Sequence, residues 1–350
     1  MNRLRFAVAG AGYIGQAHID AVQHNEHCTL CAIVDPAPGA AATAAKSGVP
    51  LYARLQDLLA TDRPDAVILA TPNQFHVDHA LVCIDAGLPM LLEKPIAPTV
   101  AEARQLIDTA DKAKARLLIG HHRAHSPIMA KACEVVSSGV LGPLVAVTGS
   151  ATFYKPDHYF ADAPWRCQSG AGPILLNMIH EVHNLRMLCG EVTAVQAFAS
   201  HAIRSFAVED TVSINLRFAS GALGSFMLSD TAASARSWEQ TSQENKAYAS
   251  YDDEDCYVIS GTNGSLSVPT MRIKTYARPQ DRSWWKSFDT GIVPMIRDDP
   301  LKLQLAHFCD VVRGHAPPLV SARDGLANLR VTEAIATTAA NGTTVDISPL

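Results

Sequence analysis

The 350-residue chain has no apolar run long enough for a membrane span, which needs about 20 residues. A membrane is therefore not an expected partner. There is no basic excess either: Lys and Arg total 29 against 34 Asp and Glu, a net charge of −5. Without a basic footprint, nucleic acid is not an expected partner. A cysteine framework is also missing. The eight cysteines are scattered, and Cys28–Cys31 is a C-x-x-C without the second pair that a zinc site requires. Those two lead into the apolar run CAIVD and read as small core residues. Thiols without a framework predict the cytoplasm. No internal repeat or low-complexity tract interrupts the chain. Arg3 and Arg5 precede a short apolar stretch that runs straight into glycines, so it reads as a first strand rather than a signal segment.

What is present is a globular composition, 48% hydrophobic and 18% charged, at a length that suits two domains. The first 120 residues alternate continuous apolar runs (RFAVAG, LCAIVD, DAVILAT, PMLLEK, RLLIG) with helical spacing. That alternation predicts an α/β fold with a doubly wound parallel sheet. The first run ends in Gly10-Ala11-Gly12-Tyr13-Ile14-Gly15, between a strand and a helix. Gly10 permits the tight turn, Gly12 lets a pyrophosphate approach, and Gly15 lets helix and strand pack closely. Tyr13 and Ile14 open a helix whose free N–H groups suit phosphate. Asp35 ends the second strand, where a carboxylate accepts from a ribose and repels a 2′-phosphate; no arginine follows it. NAD is therefore the expected cofactor, favoured over NADP.

Two later strand ends complete the crevice expected at the carboxyl edge of such a sheet. One carries Thr71, Pro72 and Asn73, followed by His76, and the other carries Glu93, Lys94 and Pro95. A lysine ending a buried strand and fixed by a proline is an unusual placement for a merely solvated charge. Beyond residue 120 the runs LVAVTGSATFY, VTAVQAFASHAI, DTVSINLRFA, GALGSFMLSD and CYVISGTNGSLSV show a period of two with glycine turns. They predict an antiparallel sheet. Between them GAGPILLNMIHEVHNLRMLCG reads as a turn into a helix, with Asn177, His180, Glu181 and Asn184 at i, i+3, i+4 and i+7. His180 is the best acid/base candidate, because an imidazole has an ordinary pKa near 6.5. The cations of His122-Arg123 and Trp165-Arg166 are candidates for contact with a substrate carboxylate.

The glycine loop, the A-T-P-N-x-x-H segment and E-K-P, in this order and spacing, resemble the Gfo/Idh/MocA oxidoreductases, a family named for glucose–fructose oxidoreductase and inositol dehydrogenase. Residues 307–347 resemble the family's C-terminal stretch. The resemblance implies a Rossmann domain (1–121) and an α/β domain (122–350) with a large, open, mostly antiparallel sheet. A C-terminal helix at about 322–340 returns to the first domain. The outer face of the sheet commonly forms oligomer contacts, so a homodimer or homotetramer is expected. The implied activity is an NAD-dependent hydride transfer to or from a secondary alcohol or ketone of a sugar, cyclitol or sugar acid. His180 takes the proton, Lys94 polarises the oxygen, and Asn177 positions it; no metal is required. Family members carry an aspartate four residues before the histidine, where this chain has Leu176, with Asn177 one step later. That departure keeps open a non-catalytic dinucleotide-binding sensor or scaffold. The resemblance is also compatible with a cis-dihydrodiol dehydrogenase for an aromatic carboxylate, and with an enzyme whose cofactor is tightly held.

Overall fold

The computed structural model describes residues 3–349. They form two compact units. Among the described residues the first comprises 3–125 and 300–329, and the second 126–299 and 330–349. The chain thus leaves the first unit four residues later than expected. It also returns earlier, with the helix Pro300–Arg313 as well as the start of the helix Ala322–Asn341.

The first unit is built on β1 (Leu4–Ala9), β2 (Cys28–Val34), β3 (Leu51–Tyr52), β4 (Ala66–Leu69), β5 (Met90–Glu93) and β6 (Leu117–Gly120). All five pairings are parallel, in the order β3-β2-β1-β4-β5-β6. Strands β4, β5 and β6 are buried at every position, as expected for a sheet covered on both faces. The order reverses between β1 and β4, which is where such sheets open a crevice at their carboxyl ends. Phe6 on β1 meets Phe308 of the helix Pro300–Arg313 with ring centroids 5.3 Å apart, both fully buried. Truncating such a ring costs about 3–5 kcal/mol. Cys28 is buried, whereas Cys31 sits at an irregularity in the β1–β2 register. Burial pushes the Cys31 thiol up to about 11, so it is a poor nucleophile.

The second unit holds β7 (Leu144–Thr152), β8 (Val192–Ser200), β9 (Thr211–Phe218), β10 (Leu223–Ser229), β11 (Tyr257–Gly261), β12 (Gly264–Val268), β13 (Arg272–Thr275), β14 (Asp289–Ile292) and β15 (Val345–Asp346). Their order is β14-β13-β12-β11-β7-β10-β9-β8-β15. Only the β7–β10 pair is parallel, so the sheet is mostly antiparallel. Strand β9 alternates buried and exposed positions, which is the pattern of one packed and one solvated face. The packed face meets the helices Pro127–Ser137 and Ile179–Cys189 through residues such as Ile128, Leu185 and Ile214. Ser126 caps the first of these helices, its Oγ accepting from the Ile128 and Met129 N–H groups. The polar stretch after residue 236 is not uniformly solvated. Trp238 is buried and donates to the buried Glu244 carboxylate at 3.0 Å.

Candidate active site

In the first unit the three glycines of the loop play separable roles. Gly10 has φ of +94°, and a Cβ there would run into the Ala70 carbonyl. A Cβ on Gly15 would run into the Gly10 carbonyl, whereas one on Gly12 would meet nothing within 4 Å. The loop is therefore closed against its neighbours at two glycines and open at the third. The helix Tyr13–Gln23 begins here with no side-chain cap and no acidic residue in its first turn. Its first-turn N–H groups have no intrahelical partner, and its dipole favours an anion. Tyr13 is exposed and Ile14 half-buried.

Asp35 fastens the loop. One carboxylate oxygen accepts from the Ala11 N–H at 2.7 Å, and the other from the Ala37 N–H at 2.8 Å. The carboxylate stays half-buried, with lone pairs to spare for ribose hydroxyls. These residues fit a dinucleotide: space at Gly12, open N–H groups at a helix start, and an acidic group ending β2.

The other strand ends are held by histidines. His76 is fully buried. Its Nδ1 lies 2.6 Å from the Pro95 carbonyl and its Nε2 2.9 Å from the Thr71 carbonyl. Burial holds its pKa below the ordinary range against the pull of both carbonyls, and a neutral ring can donate to only one of them at a time. From this position His76 joins the turn after β4 to the turn after β5, while the half-buried Thr71 and exposed Pro72 and Asn73 remain nearer solvent. His18 sits 2.8 Å from the Glu93 carboxylate, and both are buried. Burial alone would raise the Glu93 carboxyl. The His18 hydrogen bond and charge, with Lys94 and His122 adding, hold it below the ordinary range. Lys94 follows as a half-buried side chain at the end of β5. Arg123, expected to reach a substrate, is only 4% exposed, in the turn His122–His125 that packs on the helix Pro300–Arg313. Its burial makes it a packed group rather than a presented one. His122 is half-buried.

In the second unit the polar helix is divided. Residues Ile174–Met178 form a π-helical turn, and α-helix begins at Ile179. A π turn breaks the 3.6-residue count, so Asn177 does not continue the row of His180, Glu181 and Asn184. Glu181 is buried and accepts from the Tyr257 hydroxyl, which in turn accepts from Asn184 Nδ2 at 3.0 Å. Those two helix residues belong to the core. Asn177 instead accepts from Lys155 Nζ at 2.8 Å. A lysine only donates, so the amide must turn its oxygen toward it. His180 is half-buried in the first helical turn.

Lys155 was not expected from spacing. It lies three residues beyond β7, 3.6 Å from Asp230, with its Nζ 4.9 Å from the Tyr159 ring centroid. Burial pushes its pKa down to about 8 against the pull of Asp230, and Arg166 and Arg204 push the same way as burial. Arg204 donates to Asp230 at 3.0 Å and to the Lys155 carbonyl at 2.7 Å. Arg166 stacks 3.8 Å from the Tyr159 centroid and donates to that residue's carbonyl at 2.6 Å, beside the exposed Trp165. A separate cavity of about 320 Å³ adjoins Ile174 and Glu209 and is walled by Ala336, Ala339 and Ala340. It contains none of the residues expected to do chemistry. Glu209 there accepts from the Ile174 N–H at 2.8 Å, and burial raises its carboxyl.

Residues 4–121 match the model of an oxidoreductase family with an NAD-binding Rossmann fold, and residues 129–267 match a GFO/IDH/MocA C-terminal domain. The rhizopine catabolism protein MocA of Rhizobium meliloti is 27% identical over 350 residues, covering 95% of this chain and 94% of its own. Inositol 2-dehydrogenase of Leifsonia xyli is 38% identical over 151 residues, 42% of this chain and 44% of its own. Among solved structures, the WlbA dehydrogenase of Bordetella pertussis, in complex with NADH and UDP-GlcNAcA, superposes with a TM-score of 0.80 at 25% identity over 100% of both chains. With the glycine loop, the parallel sheet and the open antiparallel sheet in place, the chain belongs to the Gfo/Idh/MocA family of NAD-binding oxidoreductases.

Proposed function

We propose that the protein is a dehydrogenase that prefers NAD over NADP and acts on a secondary alcohol or its ketone in a sugar, cyclitol or sugar acid. The observation that carries this reading is the glycine loop, closed at Gly10 and Gly15 and open at Gly12, above an uncapped helix start. The Asp35 carboxylate, fixed on two backbone N–H groups, supports NAD over NADP, because it would repel a 2′-phosphate. When bound, NAD supplies the hydride acceptor for alcohol oxidation. The chain's own residues then have three tasks. His180 takes the hydroxyl proton, as suits an imidazole near neutral pH. Asn177 positions the oxygen. Lys94, at the end of β5, polarises it and stabilises negative charge developing there. The assignment of Lys94 rests on its own unit, and those of His180 and Asn177 on theirs.

The related proteins support the substrate class, since their names specify inositol and a UDP-linked sugar acid. The outer face of the second sheet supports a homodimer or homotetramer. It exposes Phe198, Leu223 and Met227, large apolar groups suited to a covered surface. The eight free cysteines favour a reducing compartment such as the cytoplasm, and no helix among the described residues is long and apolar enough to cross a membrane.

The test follows NADH absorbance with NAD or NADP across sugars, cyclitols and sugar acids, then repeats it with His180→Ala and Lys94→Ala. The expected result is turnover with NAD, lost about 10²-fold or more in either variant while NAD still raises the melting temperature. A parent protein that binds NAD and turns over nothing on the panel would favour the non-catalytic dinucleotide binder.

A further inference from the structure

We propose that Lys155, with Arg166 beside the same tyrosine ring, forms a subsite for a carboxylate, so that the preferred substrate is a hydroxy acid rather than a neutral polyol. The inference rests on the dehydrogenase reading above and selects among its substrates. It is carried by the hydrogen-bond donors of two cations within the second unit that no carboxylate takes up.

Three cations meet in this cluster: Lys155, Arg166 and Arg204. Two buried carboxylates adjoin Arg204: Asp230, which is 3% exposed, and Asp210, whose Oδ2 accepts from the Arg204 backbone N–H at 3.0 Å. One oxygen of Asp230 is held by Arg204 Nε at 3.0 Å, and the other lies 3.6 Å from Lys155. Arg204 spends further donors on two backbone carbonyls, so it and Asp230 largely satisfy one another. Asp157, 3.8 Å from Arg204, is 94% exposed and adds little. Glu209 is also close enough to act on Lys155, and burial raises its carboxyl. Lys155 shares Asp230 with Arg204, and Arg166 has no carboxylate within ion-pair distance among the described residues.

Apart from the Asp230 ion pair of Lys155, their contacts are neutral ones. The direct hydrogen-bond partner of Lys155 is the Asn177 amide, where a carboxylate would have cancelled its charge. One of three ammonium protons is spent there. Arg166 bonds a carbonyl and stacks on Tyr159 and Trp165, and its buried Nε has no hydrogen-bond partner among the described residues. Aromatic faces tolerate a cation without neutralising it. The Lys155 side chain is 11% exposed, and Arg166 is half-buried. Cation donors left unbonded in so poorly hydrated a place are costly, and an anion that takes them up removes that cost. A charge-assisted hydrogen bond from either cation then rewards a carboxylate well above a hydroxyl.

Calorimetry on the NADH-loaded protein tests this with matched pairs: glucuronate against glucose, and gluconate against sorbitol. NADH formation is measured separately with NAD. The acid of at least one pair is expected to bind about tenfold or more tightly than its neutral partner, the worth of one charge-assisted hydrogen bond. Lys155→Gln, Arg166→Gln and Asn177→Asp should each remove most of that preference. The last variant supplies a further counter-charge without removing a cation, and an unchanged urea midpoint shows that folding is intact. Equal binding of acid and neutral partner, no binding of any acid, or a preference that survives Asn177→Asp overturns the subsite. Charge-dependent acid binding without NADH formation would retain the subsite and overturn the dehydrogenase reading. Turnover of neutral polyols without acid preference would do the reverse.

Discussion

Lys155 Nζ lies 2.8 Å from Asn177 Oδ1, joining the end of a strand to a π-helical turn 22 residues later in the chain. The amine is lowered to about 8 by burial, with Asp230 opposing and Arg166 and Arg204 assisting. Asn177 and the Phe153 ring, which also face it, carry no titratable group, and the Tyr159 ring lies 4.9 Å from the amine. Below pH 8 the amine is charged and receives a carboxylate. Above it, binding an anion must also restore a proton. Affinity for glucuronate should therefore be flat to about pH 8 and then fall, by up to tenfold per unit. Glucose should show no such slope. Lys155→Gln should flatten the curve, since arginine stays charged throughout. A calorimetric pH series from 6.5 to 9.5 reads both. For stability the sign is opposite: the folded state disfavours this charge, so this group's contribution improves as pH rises from about 8 towards 10.5.

The three glycines of the loop should separate binding from folding. Gly12→Ala places a methyl group where nothing lies within 4 Å. Stability should change by no more than about 0.5 kcal/mol, while NAD affinity falls at least tenfold because the pyrophosphate loses its space. Gly15→Ala drives a methyl group into the Gly10 carbonyl, which belongs to the protein's own packing. It should cost about 1–3 kcal/mol of stability with or without NAD. Urea denaturation and NAD titration on both variants check the contrast. Equal stability of the two would contradict the geometry.

The sequence showed β1, β2, β4, β5 and β6 because each is a continuous apolar run ending in a turn residue, and β9 and β10 because each alternates. It did not show β3 and β15, which are two residues long, or β13 and β14, which are four. Strands that short carry no measurable period. The polar helix misled for a physical reason. Counting at 3.6 residues per turn assumes α-helix throughout, and the π turn at Ile174–Met178 shifts Asn177 out of that row. Glu181 and Asn184 looked chemical because they are polar, but Tyr257 of β11 consumes them. Lys155 did leave a signal. It is followed by Pro156 just beyond a strand, the same lysine–proline placement that drew attention to Lys94.

The buried pair of His18 and Glu93 should reveal itself through acid. His18→Leu leaves the Glu93 carboxylate buried without its partner, a loss of about 3 kcal/mol near neutrality. In the parent, the Glu93 carboxyl is held below its ordinary value of 4.5, so its stabilising contribution is full above that pH and is lost as pH falls further. In the variant, burial dominates and raises the carboxyl, which can then take up a proton to escape its buried charge. The deficit of the variant should therefore shrink between pH 7 and pH 5. Urea midpoints at the two pH values measure it, and a deficit that grows on acidification would show that the pair does not carry the charge.

Asp35 holds two backbone N–H groups and is also expected to meet the adenosine ribose, so its replacement should act twice. Asp35→Ser removes the negative charge and keeps one short acceptor. The Ala11 and Ala37 N–H groups, now bonded at 2.7 and 2.8 Å, lose their carboxylate partner, which loosens the loop for either cofactor. The ribose hydroxyls also lose an acceptor, a further loss for NAD. NADP suffers the first effect but gains relief from repulsion between Asp35 and its 2′-phosphate. NAD affinity should fall about tenfold or more, the worth of one or two hydrogen bonds to a charged group. NADP affinity should fall less or rise. The ratio of the two constants reports the ribose contact and the charge together, because loop loosening cancels from it. A ratio that does not move would mean that Asp35 serves the loop alone and that the preference for NAD lies elsewhere.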